Sequence, residues 1–113
     1  SAYAAPPFPS AAHVPAYAAA QQLPDWDLAL LAIIRDAGRN ALPAPAAELA
    51  TGRPVLVAWG EHDPWIPLAT GEALRDAIRG AAWLVVPGAG HLPMEEGRAA
   101  FEAGLLAFLE DLR

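Results

Sequence analysis

Residues 54–63, Pro-Val-Leu-Val-Ala-Trp-Gly-Glu-His-Asp, decide the fold. Pro54 to Trp59 form a short apolar run with β-branched side chains, and Gly60 ends it. An apolar run of that length without polar alternation reads as a strand buried on both faces, as in a parallel sheet. Downstream, residues 60–68 form a loop that contains Pro64 and Pro67. The spacing then predicts a helix over 69–79, with Leu74 and Ile78 inward and Glu72, Arg75, Asp76 and Arg79 outward. Gly80 stops it. Ala82–Val86 is a second buried strand, ended by Pro87-Gly88. A last helix is predicted from about 94 to 112, its inner face made by Phe101, Leu105, Phe108 and Leu112.

The order strand, loop, helix, strand, loop, helix implies two parallel strands joined by a helical crossover. Two such strands alone would both be edges, with unpaired N–H and C=O groups. The expected fold class is therefore α/β: the C-terminal part of a doubly wound, mostly parallel sheet, in an incomplete domain.

Residues 1–50 have a different texture. They are Ala/Pro-rich and hold seven of the twelve prolines. Ser10 to Gln21 is compatible with a short helix that Pro15 breaks or restarts. A stronger helix follows Asp25, with Leu30, Ile33, Ile34 and Ala37 at helical spacing and Gly38 as its stop. It is apolar on more than one face, so it is expected between two layers. The domain boundary is placed at residues 50/51, with no internal repeat.

Composition excludes several classes. The chain has 113 residues, room for one small domain. At 55% hydrophobic and 18% charged it is not a disordered charged tail. Pro and charge interrupt every apolar run, so no membrane span is expected. With no cysteine, disulfides, thiolate catalysis and Cys-ligated zinc are excluded. The net charge of −6 argues against nucleic acid and anionic membrane surfaces as partners. The first residues lack the basic start of a signal peptide. The compartment is not fixed by the sequence, and a cytoplasmic one is favoured.

In open α/β sheets, functional groups gather at the carboxyl ends of the strands. Gly60-Glu61-His62-Asp63-Pro64-Trp65 follows the first strand, and Pro87-Gly88-Ala89-Gly90-His91-Leu92 follows the second. Asp63 and His91 thus sit on adjacent loops of one sheet edge. An Asp bonded to one imidazole nitrogen orients the ring and stabilises its cation, which leaves the other nitrogen as a general base. Taken singly, each residue has a plain structural role, Asp63 in a turn and His91 at a helix start. Small residues before His91 let the backbone turn sharply beside the ring. His62 lacks further ligands at metal-binding spacing and reads as a solvated loop residue. No acidic residue stands near His13 in the sequence, and it reads as surface or pocket lining. Glu95 and Glu96 open a helix, where negative charge is favourable.

The stretches RPVLVAWGEHDPWIP (53–67) and LVVPGAGHLPMEE (84–96), with the amphipathic final helix, resemble the C-terminal part of an α/β-hydrolase. The resemblance covers about residues 53–112. It implies that Asp63 is the triad acid and His91 the triad base. Glu96 matches an acidic position at the opening of the family's last helix, although Gly97 stands where Pro often follows. Residues 1–50 resemble, more loosely, the end of the family's cap and the helix leading back to the sheet. That likeness makes Trp26, Leu30, Trp65 and Leu92 candidate substrate-pocket residues.

The nucleophile elbow G-x-S-x-G is absent, and the only serines are Ser1 and Ser10. The resemblance therefore implies a hydrolase of small, largely apolar ester-like substrates that is inactive without the missing N-terminal half of its fold. It implies no cofactor and no metal. The alternative is a stand-alone, non-catalytic binding module derived from a hydrolase.

Overall fold

A computed structural model of the chain describes residues 1–5, 11–36 and 52–113. The chain divides into two compact units. One joins Ser1–Phe8 to Ala46–Arg113, and the other is Pro9–Pro45. The described opening residues, Ser1 to Ala5, thus belong with the sheet and not with the helices that follow them.

The first unit is built on β1 (Leu56–Gly60) and β2 (Ala82–Val86). They pair in parallel, from Leu56 opposite Ala82 to Gly60 opposite Val86. Helix α3 (Leu68–Ala77) connects them. Short helix α4 (Pro93–Glu96) and helix α5 (Arg98–Glu110) follow β2. Alternation along the strands puts Val57, Trp59, Trp83 and Val85 on one face, and Leu56, Ala58, Gly60, Leu84 and Val86 on the other.

Two glycines let helices approach this sheet. A Cβ on Gly71 of α3 would lie 2.6 Å from the Trp59 ring and 2.9 Å from the Trp83 ring. A Cβ on Gly104 of α5 would lie 2.6 Å from Leu84. The helices therefore cover opposite faces. Among the described residues, the buried apolar side chains are Val57, Ile78, Val86 and Ala89, and Val86 is fully enclosed. The core thus runs from Val57 and Ile78 toward the amino ends of the strands to Val86 and Ala89 at their carboxyl ends. Arg75, expected outward, lays its guanidinium 5.3 Å from the Trp83 ring centroid and is half-buried.

The helix expected from 94 to 112 is two helices that meet at Gly97. Gly97 packs against Val86 so closely that no side chain fits there. The chain turns at that contact before α5 begins. The helix ends at Glu110, so Leu112 lies beyond it and is exposed, contrary to its expected place on the inner face.

The second unit contains α1 (Val14–Ala19), a 3-10 turn (Ala20–Gln22) and α2 (Trp26–Asp36). Pro15 stands in the first turn of α1, where its missing N–H costs nothing. Asp25 enters α2 with φ 58°, a left-handed conformation that Asp tolerates, and its carbonyl accepts the Ala29 N–H. Every residue of α2 is exposed, including Leu28, Ile33 and Ile34, so the expected burial between two layers is not seen among the described residues. Gly38, read as its stop, lies outside them. No helix of the described residues is long and apolar enough to cross a membrane.

The tight seat of α3 is testable. Gly71→Ala forces a methyl into two indole rings and is expected to destabilise by about 1–3 kcal/mol. Chemical denaturation followed by tryptophan fluorescence measures this. An unchanged midpoint would show that Trp59 and Trp83 yield without cost.

Candidate active site

The two strands end level with each other, and their loops stay bonded beyond the sheet. Glu61 N–H donates to the Val86 carbonyl at 3.1 Å, and His62 N–H donates to the Ala89 carbonyl at 2.9 Å. Gly60 makes this approach possible. A Cβ there would strike the Gly90 carbonyl and lie 2.6 Å from that of Ala89. Gly88 supplies the turn after β2 with φ +67°.

This zippering brings Asp63 to His91 across 28 residues of sequence, with 2.8 Å between Asp63 Oδ2 and His91 Nδ1. The other carboxylate oxygen, Oδ1, accepts the N–H groups of Trp65 at 2.8 Å and Ile66 at 2.9 Å. The Asp63 side chain is 4% exposed and that of His91 30%. Burial pushes the Asp63 pKa up. The Ile66 N–H, the His91 ring, the Trp65 N–H and the charge His91 can carry outweigh burial, holding it below the ordinary carboxylate value. With Nδ1 engaged, Nε2 is the imidazole nitrogen left for proton transfer.

The loop carrying His91 is held by further polar contacts. Glu61 Oε2 accepts the Gly88 N–H at 2.8 Å, and Glu96 Oε1 accepts the Gly90 N–H at 2.9 Å. His91 N–H donates to the Ala2 carbonyl at 2.8 Å. Beside the pair lies an open groove of about 360 Å³. Leu56, Ala58, Pro93, Met94 and Phe101 give it apolar walls, and Asp63 and His91 are its ionisable groups.

The expected pocket residues separate. The Trp65 ring lies 5.0 Å from the His91 ring, centroid to centroid, at an interplanar angle of 47°. Leu92, directly after His91, is half-buried, and its carbonyl accepts the N–H groups of Glu95 and Glu96. Trp26 and Leu30 belong to the Pro9–Pro45 unit. There they line a separate apolar groove with Tyr17, Leu23 and Ile33. Sequence reading missed Met94 as a groove residue and read Phe101 as core alone. It also missed the Ala2 carbonyl, since a backbone acceptor leaves no trace in residue type. His62 is exposed, its Nε2 3.9 Å from Glu61 Oε2.

Residues 35–113 match the family model described as TAP-like protein, an α/β-hydrolase family. The chain belongs to this family. Among solved structures it is similar to a thermophilic esterase from Thermogutta terrifontis, solved with malate bound. That likeness has 29% identity and a TM-score of 0.54, over 58% of this chain and 25% of that one. It is also similar to a serine hydrolase involved in carbazole degradation, the CarC enzyme. Here identity is 27% and the TM-score 0.66, over 79% of this chain and 34% of that one. The chain thus spans a quarter to a third of the length of these two structures. A comparison with curated proteins gave no match. The α/β-hydrolase assignment agrees with the parallel pair and with helices on both of its faces.

The depressed Asp63 pKa fixes the sign of a pH effect. A carboxylate whose folded pKa lies below its unfolded value, about 3.9, stabilises the fold above that value. The contribution is lost as pH falls through the folded pKa. Asp63→Asn removes this group, so stability should depend less steeply on pH below about 4 than in the parent chain. Urea midpoints measured from pH 5 downward test this, and parallel curves would overturn it.

Proposed function

We propose that this chain supplies the acid and the base of a nucleophile–His–acid triad in an α/β-hydrolase that cleaves small, largely apolar esters. One observation carries the reading. Asp63 Oδ2 meets His91 Nδ1 at 2.8 Å, at the carboxyl ends of two parallel strands, with the second carboxylate oxygen tied to two backbone N–H groups. That arrangement suits an acid that orients a base. The apolar groove beside the pair supports an apolar acyl or alcohol group, and the esterase among the similar structures supports ester chemistry.

The steps follow from this reading. His91 Nε2 takes the proton of a serine hydroxyl as its oxygen attacks the ester carbonyl. The imidazolium, stabilised by Asp63, gives that proton to the departing alkoxide. Water then loses a proton to Nε2 and attacks the acyl-enzyme. The proton returns to the serine as the carboxylic acid leaves.

The sequence contains no G-x-S-x-G elbow. Turnover on this reading requires a segment that carries the nucleophile, and the 113 residues alone are inactive. The Pro9–Pro45 unit is assigned to the end of a cap, and Trp26 and Leu30 within it, like Trp65 and Leu92 in the other unit, are kept as candidate substrate contacts. The proposal also keeps the cytoplasmic compartment that the sequence favours.

In an active protein containing this chain and its nucleophile, His91→Ala and Asp63→Asn are each expected to lower kcat on p-nitrophenyl butyrate by about 10²–10⁴-fold. KM should change little. Near-full activity in either variant would remove that residue from the mechanism.

A further inference from the structure

We propose that Glu96 is a positioning residue for His91, acting through Gly90 and through the opening segment Ser1–Ala5. The proposal rests on the reading of His91 as the base.

Both oxygens of the Glu96 carboxylate are used. Oε1 accepts the Gly90 N–H at 2.9 Å, and Oε2 accepts the Ala4 N–H at 2.8 Å. Two residues earlier in the segment, the Ala2 carbonyl accepts the His91 N–H at 2.8 Å. The contacts close a circuit that runs from Glu96 to Gly90, along the chain to His91, across to Ala2, along to Ala4 and back to Glu96. Tyr3, between the two alanines, donates its hydroxyl to Glu95 Oε2 at 2.9 Å, so the segment is fixed to α4 a second time.

The circuit has no slack. A Cβ on Gly90 would lie 2.5 Å from Ala4 N, 2.7 Å from Glu96 Oε1 and 2.8 Å from the Ala2 carbonyl oxygen. Carboxylate, segment and loop therefore share the space beside one small residue. Bonds from N–H groups to a carboxylate are about twice as strong as neutral ones. Glu96 is absent from the lining of the groove that holds Asp63 and His91, so its influence on the ring passes through the backbone. The other end of the loop has its own carboxylate in Glu61, bonded to Gly88 N–H. Glu96 holds the residue next to His91, and the His91 amide itself depends on the segment that Glu96 anchors.

A carboxylate is required, because a Gln side chain offers one acceptor oxygen and turns an NH₂ group toward the second backbone N–H. Glu96→Gln should therefore release one of the two amides and keep the other. Glu96→Ala should release both.

The test uses the full 113-residue chain, labelled with ¹⁵N, and two NMR readouts. The first is the low-field His91 Nδ1–H signal that reports the bond to Asp63. The second is amide exchange at Ala4, Gly90 and His91, with Leu74 of α3 as a distant control. In Glu96→Ala, exchange at the three amides is expected to accelerate about tenfold or more, and the Nδ1–H signal to broaden, while Leu74 holds its rate. In Glu96→Gln, either Ala4 or Gly90 should keep its protection. If Glu96→Ala does not fold, the Gln variant decides. An unaltered Nδ1–H signal with unaltered exchange in the folded variants overturns the role of Glu96 and leaves the acid–base pair standing. A parent chain without the Nδ1–H signal overturns the pair itself.

Discussion

Gly60 stands opposite Val86 at the last rung of the parallel ladder, and its backbone meets the carbonyls of Ala89 and Gly90 at a separation no side chain would permit. Every feature of the site follows from that approach. It lets the Glu61 and His62 amides continue bonding to Val86 and Ala89 after the strands have ended. The loops are thereby held edge to edge, and the first residues free to face each other are Asp63 and His91. A methyl at Gly60 would separate the loops and pull a hydrogen-bonded pair apart without touching either member. A backbone contact, not a side-chain contact, therefore decides whether a site exists here.

The packing agrees with this order of causes. Val86, the fully enclosed side chain, is the strand residue paired with Gly60, and Ala89, also buried, lies in the following loop. Two of the buried side chains thus lie immediately beneath the site. Charged or hydrogen-bonded groups set on a firmly packed base keep their geometry better than groups carried on open loops. Asp63 gains in the same way, since its burial is offset by three donors.

Much of this was legible in the sequence. The strand at Ala82–Val86 has the expected limits, because a continuous apolar run between a helix stop and a Pro-Gly turn admits little else. Strand β1 extends through Gly60, which had been read as its end, since a ladder bond needs no side chain. The placement of Asp63 and His91 on adjacent loops followed from topology, because parallel strands release their loops at the same edge, and their reading as acid and base came from the family resemblance. The final helix was less legible. Its apolar spacing continues through Gly97 and past Glu110, and only contact with Val86 reveals the break. The part played by Ser1–Ala5 was not legible at all, for its bonds are made largely by backbone groups that every residue possesses. The role of α2 differed for another reason. Helical spacing reports which residues are apolar, and what covers them is a separate question.

The turn after Asp63 has one more consequence. Oδ1 reaches the amides two and three residues ahead while Oδ2 points to His91, so the two oxygens of one carboxylate are not interchangeable. Together with the backbone they close a small ring whose circumference is set by a single methylene. Glutamate carries the same charge, but its extra methylene enlarges that ring and turns the free oxygen away from the imidazole. The loop therefore acts as a gauge of side-chain length, and it distinguishes two acids that carry the same charge.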